Sequence, residues 1–242
     1  TTLPVNPGFP YIISPDNNIT PHLTVNSGVT LTLPEGLVVK LESTGSEFQI
    51  NGVLLSQGTA AGPVVITSFK DDSMGGDTNN DGSATAPAPR DWGVIQVSND
   101  GIVTLDHTVV RYGGSYNYST SSTYLSMYVS GNGRLTLNHS TISRSYGHGI
   151  YLRNSAAQTA RLEILSSTVE NNGSSGVVMT SESGSARNNQ IVVSNSFFRN
   201  NGGTGLSVSY VQSAAIANTE FSNNAGNGFS ANGIVGVELG GS

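Results

Sequence analysis

The sequence predicts an all-β chain folded as a right-handed parallel β-helix, a solenoid with an N-terminal cap and extruded loops. Three observations predict it. The first is composition: of 242 residues, 30 are glycine and only 11% are charged. Glycine costs about 1 kcal/mol in a helix interior, so this many suits a fold of tight turns. Charge well under the ~25% of ordinary soluble domains leaves the surface to Ser, Thr, Asn and Gly. The second is a unit that recurs through the C-terminal half. The third is a series of short stretches that alternate apolar and polar residues, the period of a β-strand. One rung of such strands cannot bury its own inward side chains, whereas rungs stacked at ~4.8 Å can.

Taken in order, residues 1–22 carry five prolines and read as an arm or cap rather than a rung. Alternation begins at Val29-Thr30-Leu31-Thr32-Leu33 and turns at Pro34-Glu35-Gly36. It resumes at Leu37-Val38-Val39-Lys40-Leu41, Phe48-Gln49-Ile50, Val53-Leu54-Leu55 and Val64-Val65-Ile66-Thr67. After Val94-Ile95-Gln96-Val97 comes Ile102-Val103-Thr104-Leu105. Two stretches interrupt the pattern: 71–91, rich in Asp, Asn and Gly, and 113–123, rich in Tyr and Ser. Insertions in solenoids are extruded loops, where function is usually carried. The whole of 1–242 reads as one domain.

Four C-terminal segments then share one register: 140–150, 167–177, 196–206 and 219–229. Each opens with Ser or Thr and places an apolar residue at Ile142, Val169, Phe198 or Phe221. Asn-Asn pairs stand at 171–172, 200–201 and 223–224. Gly149, Gly176, Gly205 and Gly228 each precede an apolar residue and recur after 27, 29 and 23 residues by subtraction. Asn tolerates the left-handed backbone of a sharp corner, and stacked Asn side chains hydrogen-bond between rungs. A β-sandwich with Asn-Gly turns is the competing fold, but its turns would recur every ~8–12 residues.

The stretch 29–114 carries Thr30-Leu31-Thr32, Pro34-Glu35-Gly36, Asn51-Gly52-Val53-Leu54, Gln57-Gly58-Thr59 and Pro63-Val64-Val65-Ile66-Thr67-Ser68. It continues through Asp71-Asp72, the run from Gly75 to Gly82, Asp91-Trp92-Gly93 and Arg111-Tyr112-Gly113-Gly114. In these residues it resembles bacterial secreted proteins with pectin-lyase-like right-handed β-helices. That resemblance implies the fold and a secreted or cell-surface location. It does not choose among lyases, epimerases, hydrolases and catalytically silent surface modules.

The net charge of −6 disfavours nucleic acid, which selects basic faces, and permits cations. The absence of cysteine excludes disulfides and thiolate metal sites. No apolar run reaches the ~20 residues of a membrane span. The chain opens at Thr1 without Met, as a processed or excised domain would, and further domains are expected in the full-length protein.

Asp77-Thr78-Asn79-Asn80-Asp81-Gly82 fits the first half of a calcium loop of the D-x-[DN]-x-[DN]-G type. Calcium takes six to eight oxygens. Asp77, Asn79 and Asp81 stand at alternate positions, Gly82 allows the bend and Ser83 offers its backbone carbonyl. The twelfth position is Ala88, where a bidentate Glu belongs, so Asp71, Asp72 or Asp91 is expected to complete the site. Calcium is the expected ion.

Seven of nine tyrosines lie between 112 and 151: Tyr112, Tyr116, Tyr118, Tyr124, Tyr128, Tyr146 and Tyr151. A tyrosine joins a flat apolar face to a polar tip and suits wet interfaces. Together with Trp92, the only tryptophan, they are the expected platform for an extracellular polysaccharide or cell-surface glycan, with Ser115, Asn117 and Asn132 nearby as hydrogen-bonding groups. The bland reading of these rings is packing along the solenoid wall.

Catalytic motifs are scarce. There is no nucleophile elbow and no phosphate loop. The histidines, His22, His107, His139 and His148, lack zincin or deaminase spacing and read as surface or turn residues. A lyase needs a carboxylate-bound cation and a base, for which Arg111, Arg144 and Asp106 are the candidates. A glycosidase needs two carboxyl groups ~5–9 Å apart, available only in the acidic loop. Thr30 and Thr32 do not recur as an ice-binding ladder would. The expected function is a calcium-stabilised binding or adhesion module without catalysis. A polysaccharide-active lyase or glycosidase is the alternative, and a structural spacer is third.

Overall fold

The computed structural model describes residues 1–5, 9–14, 23–114, 116–117, 123–154, 158–181 and 188–241. Among them there is no helix. Three sheets of parallel strands form the walls of a solenoid of about eight turns. The chain visits the first, second and third faces in turn and then climbs one rung. One such circuit runs through Ile102–Asp106, Thr108–Arg111 and Thr123–Val129. The next runs through Arg134–Asn138, Thr141–Ser143 and His148–Asn154.

On the first face, Thr30, Val53, Ile102, Arg134, Arg161, Gln190, Ser213 and Gly236 stack in register. Subtraction gives rungs of 23, 49, 32, 27, 29, 23 and 23 residues. The 49-residue rung contains the 71–91 insertion and the 32-residue rung contains 113–123. Both excursions leave the strand register intact, because each is spliced into a corner and not into a strand.

Alternation is realised as predicted. In Ile102–Asp106, Arg134–Asn138 and Arg161–Leu165 the inward pairs Val103/Leu105, Leu135/Leu137 and Leu162/Ile164 are fully buried. Their neighbours in sequence face outward, so one continuous core fills the solenoid axis.

Corners are set by left-handed residues. Tyr112, Arg144, Asn171, Asn200 and Asn223 have φ of 69°, 55°, 55°, 55° and 54°. The Asn-Asn pairs divide two tasks. The first Asn takes the left-handed backbone. The second turns inward and builds a ladder: Asn172 Nδ2 donates to Asn201 Oδ1, and Asn201 Nδ2 to Asn224 Oδ1, both at 2.9 Å. Hydroxyls make a second ladder, with the Ser140 amide donating to Ser167 Oγ at 3.0 Å and the Ser167 amide to Ser196 Oγ at 3.2 Å. The recurring glycines stack as well. A Cβ on Gly176 would lie 2.6 Å from the Gly205 carbonyl oxygen, so no other residue fits without moving backbone.

Residues 1–22, expected as an arm or cap, join the solenoid where they are described. Thr2 bridges to Thr32, and Tyr11–Ile13 pairs in parallel with Val38–Leu41. Prolines are tolerated there because an edge strand need not donate every amide.

Candidate functional site

The 71–91 insertion folds back over the second face and buries Lys40 beneath it. Lys40 Nζ donates to the Gly76 carbonyl at 2.7 Å and to Thr78 Oγ1 at 2.8 Å. Burial lowers its pKa, an effect partly opposed by Asp72, Asp71 and Asp77. The base of the loop is closed by two ion pairs. Asp71 takes Arg111 Nη2 at 2.6 Å and Nε at 2.9 Å, with Ser73 and Thr67 on the same carboxylate. Asp91 takes Lys70 at 2.9 Å, Ser68 at 2.7 Å and the Ala88 amide at 2.9 Å.

Above this base, oxygens of Asp72, Asp77 and Asp81 lie within 4.8 Å of one another. Asp77 accepts the amides of Asp81 and Gly82 at 3.2 and 2.8 Å, which winds the loop around its carboxylate. Asp81 Oδ2 accepts Asn79 Nδ2 at 2.8 Å and the Thr85 amide at 3.1 Å. The opposite oxygens tell more. Asp72 Oδ1, Asn79 Oδ1 and Asp81 Oδ1 are shielded from solvent yet accept no hydrogen bond. Leaving a buried acceptor unsatisfied costs about 1–3 kcal/mol, and three of them beside clustered carboxylates are what a hard cation relieves. The donor set that fits is therefore Asp72, Asp77, Asn79 and Asp81. Asp71 and Asp91 are withdrawn from the ligand set, since both carboxylates already serve the basic groups at the loop base. Ser83 follows the bend at Gly82 and is exposed.

The end of the same loop delivers Arg90. Its backbone φ is 78°, unfavourable for an arginine. It is fixed by its amide bonding the Gly113 carbonyl at 3.1 Å, with the Asp91 amide bonding that of Tyr112 at 3.1 Å. Its guanidinium lies 5.1 Å from the Tyr124 ring and 5.5 Å from the Tyr146 ring. Those two rings meet edge-on at 5.0 Å, and Tyr146 is 49% exposed. The tyrosines whose side chains are described thus form no single row. Tyr128 and Tyr151 stack at 6.3 Å along the third face, Tyr128 buried against Val94 and Leu125. Tyr112 is buried, and its hydroxyl accepts Arg144 Nη1 at 2.6 Å. Tyr118 and Ser115 lie outside the described residues. For Tyr116 and Asn117 only the backbone is described, as a short antiparallel strand against Thr123–Val129. Asn132 is engaged elsewhere, with Asp100 and the Thr159 amide.

A family model for the right handed beta helix region matches residues 93–197 and 125–237, which overlap to span more than half of the chain. The chain belongs to this family. Neither curated proteins nor solved structures gave a match.

Within this right-handed β-helix, Trp92 is a structural residue, contrary to its expected place on a ligand face. It is fully buried and donates Nε1–H to the Arg111 carbonyl at 2.8 Å. Gly113 makes room for it, since a Cβ there would lie 2.8 Å from the indole ring. Of the trio considered for lyase chemistry, Arg111 and Arg144 both pack against the Tyr112 ring, at 5.5 and 5.4 Å, and Asp106 lies apart. Arg111 is held by Asp71, Arg144 by the Tyr112 hydroxyl, and Asp106 sits at another corner beside His107. Sequence reasoning missed Arg90 and Lys40. Neither lies in a motif, and both matter only because the loop folds over the face.

Proposed function

We propose that this β-helix is a calcium-stabilised module, secreted or held at the cell surface, that binds polysaccharide without chemically changing it. One observation carries this reading: a single insertion holds the unsatisfied oxygens of Asp72, Asn79 and Asp81 and also ends in Arg90, packed against Tyr124 and Tyr146. A cation that fixes the loop therefore fixes the arginine–tyrosine surface. Tyr146 offers a ring face to a sugar's C–H face, and Arg90 offers a planar fork of donors to hydroxyls or carboxylates. Calcium would be held by Asp72, Asp77, Asn79 and Asp81, its remaining positions filled by water or loop carbonyls, and its role would be to rigidify.

The test couples melting with a glycan panel. At a ~100-fold excess over its Kd, calcium adds about 2.7 kcal/mol, a rise of about 5–10 °C for a chain of this size. Wild type should show that rise over chelator, and the double variant Asp72→Asn/Asp81→Asn should not. Tyr146→Ala and Arg90→Ala should lose glycan binding but keep the calcium-dependent rise in melting. Release of unsaturated uronates from an acidic polysaccharide would instead establish the lyase alternative. Absence of both binding and turnover would leave a spacer.

A further inference from the structure

A second cluster of metal-ligating groups stands at the corner between the first and second faces, away from the acidic loop. Asp106 ends one strand and His107 follows it. One rung up, Asn138 and His139 occupy the equivalent places, Asn138 pairing in register with Asp106. The two imidazoles stack at 4.6 Å and 11°. His107 Nδ1 lies 2.8 Å from Asp106 Oδ1, which also accepts Asn138 Nδ2 at 3.0 Å. One donor atom from each of Asp106, His107 and His139 falls within 4.8 Å of the others. The corner itself does not demand histidine. His107 and His139 have φ of 42° and 49°, and the equivalent Ser166, Asn195 and Asn218 have 48°, 51° and 47°. Asparagine is at least as comfortable in that conformation, so two successive histidines beside a carboxylate are chosen for something other than turning the chain.

We propose that Asp106, His107 and His139 form a binding site for a divalent transition metal of borderline softness, with zinc as the best fit. Two imidazoles and one carboxylate suit zinc and do not suit calcium, which prefers an all-oxygen shell. Zinc bonds of ~2.0–2.2 Å need the donors drawn together. His139 is exposed and can tilt on its own side-chain torsions, while the strand register fixes both backbones. Three protein donors leave one tetrahedral position for water or an external ligand.

The test is zinc calorimetry on the untagged chain, with calcium saturating so that the acidic loop is not the acceptor. The variants His107→Asn and His139→Asn install the residue that other rungs use at this corner, so both should fold and melt as wild type without zinc. Wild type should take up one zinc. Each variant should bind it more weakly by about tenfold or more, at least the loss seen on removing a partner that only orients a ligand. Cobalt should give wild type the visible absorption of a tetrahedral site, lost in the variants. No uptake by wild type, or uptake unchanged in both histidine variants, overturns the proposal. So does uptake abolished only by Asp72→Asn/Asp81→Asn.

Discussion

Asp71 is only 2% exposed, yet its carboxyl titrates below the usual range. Burial alone would push it up. Hydrogen bonds from Ser73 and Thr67 and the charge of Arg111 together outweigh burial. A depressed pKa in the folded state contributes stability above the ordinary carboxylate range, and that contribution is lost as pH falls through the folded value. Asp71→Asn should therefore cost about 2–3 kcal/mol near neutrality, because it strands the partly buried Arg111. The difference from wild type should shrink in strong acid, as urea midpoints at the two pH values will show. A constant gap would mean that the loop base is not held by charge. At this scale the sequence identified an acidic loop but not who uses each carboxylate. Asp71 and Asp91 read as ligands until folding brings Arg111 and Lys70 to them. Trp92 failed for a similar reason: its seat is made by Gly113, more than twenty residues on. The histidine pair was legible in hindsight, since Leu105-Asp106-His107-Thr108 and Leu137-Asn138-His139-Ser140 share one pattern. Their spacing is a rung length, however, and matches no familiar metal motif.

Between rungs, the informative element is the asparagine ladder. Asn201 Oδ1 accepts from the Asn172 side chain, and Asn201 Nδ2 donates to Asn224 and to the Val169 carbonyl. Asn201→Ala should cost about 3 kcal/mol, since it leaves several buried polar groups without partners. Asn200→Gly should be within about 1 kcal/mol of neutral, because glycine adopts φ of 55° freely and its added chain entropy is the only charge against it. Denaturant melts of the two variants measure the contrast, and equal losses would refute the division of labour between neighbouring asparagines. The elements themselves were largely legible, because alternation, opening hydroxyls, Asn-Asn pairs and stacked glycines all repeat. Residues 1–22 were less so. Their prolines hide the fact that Thr2 and Tyr11–Ile13 pair with the next rung.

As a whole, the molecule is close to one-dimensional: on each face strands pair with the rungs directly above and below, and the acidic insertion reaches one rung further, from Arg90 to Tyr146, so stability is close to a sum along the axis. The sum is uneven. Central rungs are buried, while the last strand, Gly236–Gly240, is exposed throughout. Unravelling should thus begin at the C-terminal end. The unequal register intervals then acquire a mechanical meaning. Stretched between its ends in a force spectrometer, the chain should lengthen in steps proportional to the residues each rung releases. The first should be about 80 Å for a 23-residue rung, at ~3.5 Å per extended residue. A step of about 170 Å should come late, when the 49-residue rung opens. Calcium should raise the force of that step and of the two before it, whose rungs hold the insertion through Tyr146 and Arg111, and leave the earlier steps unchanged. A single rupture of the whole chain would show that the rungs are not independent. The insertion that carries the candidate metal centre would then also be the solenoid's longest reserve of slack, held under a cation-controlled catch.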